Sequence, residues 1–301
     1  MVTVLIKQIL AMVAMMAIGV VLARLHKVDE KGATQLSTIA MYVATPAVII
    51  QAFAVEFNPE QLINAAWVAL SVVIALAVST LISRVLLARS DRVGQFAVIF
   101  NNAGFIGIPI IQVLLGTEYV FYVTIIIALS TLYLWTYGVV LISGDRSMVS
   151  LKKVATNPAI IALAVGLVLF FLPIELPSVV SSVLSSMGSL NTGLAMIVIG
   201  ANLGMANIGL MFSDLRLFRA GALRLIAVPL TVLAIMFLMP IPCEVKMTLV
   251  IAQATPCAAA TSMLAQLFGG DYQYGTGLVI MTALLSMLTM PIVLTIAIAV
   301  L

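Results

Sequence analysis

Charge is scarce in this sequence: Asp, Glu, Lys and Arg make up 8% of its 301 residues, against 63% hydrophobic. A soluble domain needs about a quarter of its residues charged; this composition instead describes a chain that crosses the membrane repeatedly. Histidine is nearly absent. The one present, His26, lies among basic residues and reads as solvated rather than as a proton relay. Two cysteines, Cys243 and Cys257, cannot build a disulfide framework or a metal site. An intramembrane enzyme would therefore lack a nucleophile–base pair and metal ligands. Neither catalysis nor a cofactor is expected.

Ten apolar stretches are present, at 5–25, 36–54, 62–83, 93–115, 119–142, 158–175, 187–208, 217–239, 245–268 and 275–301. Most approach the ~20 residues that a spanning helix needs. The basic residues Arg24, Lys27 and Lys31 follow the first stretch, and no small-residue cleavage site is evident, so it reads as a retained span rather than a signal peptide. Every charged residue can be assigned to the end of a stretch or to a gap, so a site at the membrane midplane is expected to work without a fixed charge or a titrating group. The basic residues are lopsided. Arg24, Lys27, Lys31, Arg84, Arg89, Arg92, Arg146, Lys152, Lys153, Arg216, Arg219 and Arg224 fall in alternate gaps, and only Lys7 and Lys246 fall on the other side. The rich side is expected to be cytoplasmic, with both termini outside in a plasma-membrane protein. Membrane topology thus explains the net charge of +3, which gives no support for nucleic-acid binding.

The most polar connection, 144–157, divides the chain into two sets of five stretches, 1–143 and 158–301. An odd number per half forces opposite orientations in the membrane. Ala17–Leu22 (AIGVVL) is weakly echoed by Ala164–Leu169 (AVGLVL), which suggests an inverted repeat. The fourth stretch of the first half carries Asn101, Asn102, Gly104, Gly107 and Pro109; its counterpart in the second half carries Gln253, Thr255 and Pro256. Proline removes a donor and clashes with the preceding turn, and glycine permits unwound backbone, so both helices should break. Paired interruptions at corresponding positions point to a transporter's binding site. Broken helices present N–H groups and positive dipole ends that suit an anion. Asn101, Asn102, Gly104, Gln253 and Thr255 are the expected binding residues, with Gly107, Pro109 and Pro256 as breakers. Tyr133 and Trp135, near Tyr137 in the fifth stretch, are candidate pocket walls, and Thr45-Pro46 marks a kink. The 17 methionines read as scattered gap-fillers.

Asn102-x-Gly104-x-x-Gly107-x-Pro109, Asn157-Pro158 with Gly166, Pro256 and Ser286-x-x-Thr289-x-Pro291, in this order, resemble the bacterial branch of the auxin efflux carrier family. The resemblance covers essentially the whole chain. It implies an all-α inverted five-plus-five repeat like that of bile-acid transporters and sodium/proton antiporters, with the fourth and ninth spans crossing where they unwind. It implies a scaffold of spans 1, 2, 6 and 7, a transport domain of spans 3–5 and 8–10, elevator-type movement and a homodimer. The implied substrate is a small carboxylate such as malate, malonate or an auxin-like acid. Two departures stand out: Gly193 occupies a place in the seventh span where the pattern has proline, and the long hydrophilic loop of the plant carriers is absent. A sodium-coupled symporter of the bile-acid type is the rival reading, since carbonyls, amides and hydroxyls can hold Na⁺.

Overall fold

The computed structural model describes residues 2–54, 58–172, 176–206 and 214–301. Among them the chain is almost entirely helical, with no strand and one isolated bridge between Asn101 and Cys257. In chain order the helices are α1 (Val2–Arg24), α2 (Glu30–Phe53), α3 (Pro59–Leu86), α4 (Arg92–Ile99), α5 (Ala103–Leu114), α6 (Thr117–Ser143), α7 (Leu151–Ala155), α8 (Pro158–Phe171), α9 (Ser178–Met205), α10 (Leu215–Phe237), α11 (Cys243–Ala254), α12 (Ala260–Leu267) and α13 (Tyr272–Val300). Seven of these, α1, α2, α3, α6, α9, α10 and α13, are long and apolar enough to cross a membrane. The stretches expected at 93–115 and 245–268 are each split into two short helices, α4 with α5 and α11 with α12. The expected ends of the stretches at 158–175 and 187–208 lie outside the described residues.

Helix α1 packs along α9, and the second half of α2 packs against α8 and α9. A second set of contacts joins α3 to α4 and α6, α10 to α11, and α13 to α11 and α12. The α1–α9 contact is the closest. Gly19, Gly200 and Gly204 face the partner backbone, and a Cβ on Gly204 would lie 2.9 Å from both Ala23 Cβ and Val20 O. Small residues of this kind let two membrane helices approach to backbone contact. Gly193, by contrast, lies in an unbroken 28-residue α9 with open space around it.

Three of the prolines are absorbed in the same way. Ala40–Ala44, Ala103–Gly107 and Leu223–Ala227 are π-helical turns, and each runs directly into Thr45-Pro46, Ile108-Pro109 or Val228-Pro229. The residue before each proline donates to the carbonyl five residues back, at Ala40, Ala103 and Leu223 respectively. A wider turn accommodates the carbonyl that the proline ring would strike and leave without a donor. Thr45-Pro46 therefore continues a helix instead of interrupting it, and Pro109 lies in the first turn of a resumed helix rather than at its break.

At one end of the bundle Asp91, Asp214 and Asp271 cap the starts of α4, α10 and α13 through the amides of Gly94, Arg216 and Tyr274. Arg216 pairs with Asp214 at 2.8 Å and Asp271 at 3.7 Å, while the Tyr274 hydroxyl donates to Asp91 at 3.2 Å. The hydrogen bond from Arg216 holds the Asp214 carboxyl below its ordinary pKa.

Candidate functional site

Helix α4 ends at Ile99 and Phe100 turns extended, with φ −99° and ψ 125°. Helix α11 ends at Ala254, and Thr255 is extended with φ −67° and ψ 155°, the conformation that a following proline enforces. The two extended segments lie antiparallel. The Asn102 amide donates to the Pro256 carbonyl at 3.0 Å, and the Ala258 amide donates to the Phe100 carbonyl at 2.9 Å. The Cys257 amide donates to the Thr282 hydroxyl at 3.2 Å. Backbone groups released by one break are thus met by the other, as the membrane interior demands. This alters the expectation of free N–H groups: the Asn102 and Ala258 amides are engaged. Those of Gly104, Phe105, Ala259 and Ala260, the next along each resumed helix, take no part in the pairing.

The largest correction concerns charge. Arg224 is not in a gap. It lies nine residues beyond the start of α10, about 13 Å along a helix axis, and is 0% exposed. Its Nε donates to the Thr255 carbonyl at 3.2 Å, Nη1 to the Val98 carbonyl at 3.0 Å, and Nη2 to both the carbonyl and the side-chain Oε1 of Gln253. Val98 and Gln253 are in the last turns of α4 and α11, where carbonyls have no intrahelical partner and the helix dipole is negative. One guanidinium therefore caps both interrupted helices. Burying an ion costs several kcal/mol, which charge-assisted hydrogen bonds of about 1.5–3 kcal/mol each can offset. The ion pairs among the described residues belong to Arg216, so Arg224 is balanced by dipoles and not by a carboxylate. The stretch 217–239 already contained Arg224, but its proximity to Arg216 and Arg219 made it resemble part of a cytoplasmic cluster.

The expected binding residues gather here to different degrees. Gln253 is 0% exposed; Arg224 fixes its Oε1, and its Nε2 has no partner among the described residues. Asn101 is half-buried: its Oδ1 accepts from the Ala103 amide at 3.3 Å, while its Nδ2 is buried without a partner. Asn102 is half-buried beside it. Thr255 is buried, but its hydroxyl proton goes to the Ala252 carbonyl at 2.7 Å, so the side chain has none left to donate. Gly107 packs against Thr255. The Gly104 carbonyl accepts from Nδ2 of Asn191 on α9 at 3.3 Å, and Asn191 Oδ1 accepts from Thr45 at 2.8 Å. Asn191, 1% exposed, was not among the expected site residues; an amide two residues before the noted Gly193 was its signal.

Tyr133 reaches the break through Phe100, with ring centroids 5.8 Å apart, and its hydroxyl meets that of Thr80 at 3.1 Å. Trp135 faces α7 instead, with the Lys153 ammonium 5.4 Å from its ring centroid. The methionines are less scattered than expected. Met12, Met16, Met196, Met287 and Met290 line one small apolar cleft where α1 and α9 meet α5 and α13. His26 is exposed in its loop and Cys257 is buried as a free thiol.

An arginine without an acid, two unpartnered amide donors and an amide-lined pair of helix breaks make a positive, hydrogen-bond-donating centre inside a membrane bundle. No curated protein matches the chain. The profile of the membrane transport protein family matches residues 4–294. With nearly the whole chain covered, the protein belongs to that family, the auxin efflux carriers, and is a multi-pass membrane transport protein.

Proposed function

We propose that this chain is a secondary transporter of a small organic anion, whose carboxylate binds beside the paired interruptions. The observation that carries this reading is Arg224: a buried cation without an acidic partner, next to the unpartnered donors Gln253 Nε2 and Asn101 Nδ2. Such a centre attracts anions and repels cations. Asn102, Asn101 and Gln253 are the proposed donors to the carboxylate, with the Gly104 amide and Tyr133 at the margin; Thr255 contributes its backbone. Malate, malonate and indole acids are the classes to try.

In this reading the seven long helices, α8 and the two interrupted pairs make ten spans in an inverted five-plus-five repeat whose broken members cross. The clustering of Asp91, Asp214 and Asp271 supports it, because ten alternating spans put the starts of α4, α10 and α13 on one side. The two sets of helix contacts support a scaffold of α1, α2, α8 and α9 and a moving domain of the remainder. A methionine-lined boundary bridged by Asn191 suits sliding between them. A homodimer in the plasma membrane, with both termini outside, completes the proposal.

Two experiments test it. Purified protein screened by thermal shift against dicarboxylates and indole acids should be stabilised by at least one; Asn102→Ala should then weaken that ligand roughly tenfold to a hundredfold, the loss of one hydrogen bond to a charge. Unchanged affinity removes Asn102 from the site. Single cysteines replacing Glu118 and Asp145, without Cys243 and Cys257, should label from outside and inside respectively. Reversed labelling inverts the topology.

A further inference from the structure

The oxygens around Arg224 form a recognisable set. The carbonyls of Val98, Gln253 and Thr255 and the Oε1 of Gln253 converge from the C-terminal ends of two interrupted helices. Unwound carbonyls and half-helix C-termini are the groups with which transporters of this construction coordinate Na⁺. Here a side chain anchored on α10 supplies the positive charge. The π turn Leu223–Ala227, one residue wider per turn than the α-helix on either side, contains Arg224. We propose that the Arg224 guanidinium is a resident cation filling the carbonyl cluster that a coupling cation would otherwise occupy, so that this chain moves its anion without Na⁺.

Three considerations support the assignment. Arg224 is 0% exposed, and each of the four oxygens around its guanidinium accepts a hydrogen bond from it. A second monovalent cation beside it would be repelled by like charge in a site screened from water. Arginine also remains protonated throughout the physiological range, so the charge is permanent, whereas a diffusible ion must bind and leave in each cycle.

The test combines thermal stability, which needs no substrate, with uptake into proteoliposomes, which rests on the proposed anion transport. Wild-type melting temperature and anion uptake should be unchanged when Na⁺ is replaced by choline. Arg224→Ala should melt lower than wild type, and low-millimolar guanidinium should restore its melting temperature dose-dependently while leaving wild type unaffected. Its uptake in choline should fall about tenfold or more and recover with guanidinium or Na⁺. The Arg224→Lys and Arg224→Met pair covers the case in which the alanine variant does not fold: lysine should retain more stability and uptake than methionine, which is similar in length but uncharged. A strict Na⁺ requirement in wild type overturns the assignment. So does an alanine variant that no cation stabilises, or a methionine variant that equals the lysine variant. Failure to find any transported anion, with guanidinium rescue of stability intact, counts against the transport reading alone.

Discussion

Gln253→Glu should nearly abolish anion binding without lowering the melting temperature of the protein. The substitution is isosteric and adds a carboxylate where Oε1 already accepts from Arg224 at 3.3 Å. The guanidinium would gain a true counter-ion, so stability should hold or rise. The site would lose its net positive charge and gain a repulsive one. A carboxylate about 6 Å from the bound anion contributes roughly 3 kcal/mol at an effective dielectric of 20, or about a hundredfold in affinity. Thermal shift without ligand and equilibrium binding with ligand separate the two effects. Retained affinity in a stable variant would show that the field of Arg224 does not hold the anion; a large drop in melting temperature would show that Gln253 is not free to pair with it.

The second large effect concerns folding. Gly200→Leu should yield no monodisperse protein on size-exclusion of detergent extracts, whereas Gly193→Leu on the same helix should behave as wild type. At Gly200 any Cβ would run into the Met16 backbone, and at Gly193 nothing lies within 4 Å. Overpacking of this kind costs about 1–3 kcal/mol for small excesses and more where backbone must move. Normal folding of Gly200→Leu would mean that α1 and α9 are not in backbone contact.

The two helix interruptions that frame the candidate site were readable from residues alone to different degrees, for identifiable reasons. Thr255-Pro256 forces extended backbone, so the second interruption falls where its proline predicts. Pro109 carried the same local signal but misled by seven to nine residues, because a π turn absorbed it and the interruption fell at Phe100–Asn102. Nothing local distinguishes a proline that breaks a helix from one that is accommodated; Pro46, Pro109 and Pro229 follow a wider turn, and Pro291 sits within an unbroken α-helix. Thr255 lies at the second interruption, but its hydroxyl proton is taken by Ala252, a neighbour in its own turn, which its residue type alone does not reveal. Arg224 was hidden for a different reason. Lys and Arg at helix ends are so regular in membrane proteins that a cluster of three invites one explanation. Only the three-dimensional meeting of Val98, Gln253 and Thr255 separates the third from the first two.

On the proposed mechanism, a buried arginine moving with its helix would also make the carrier a voltage sensor. Each elementary charge that crosses the full membrane field changes energy by about 2.3 kcal/mol per 100 mV. If Arg224 travels with the proposed moving domain, an inside-negative potential draws the empty carrier toward its inward-facing state. A bound monoanion cancels the travelling charge and makes the loaded step indifferent to voltage, and a dianion reverses its sign. The membrane potential would therefore act on the unloaded return alone for a monoanion, and on both the return and the loaded crossing for a dianion, with the same residue setting each.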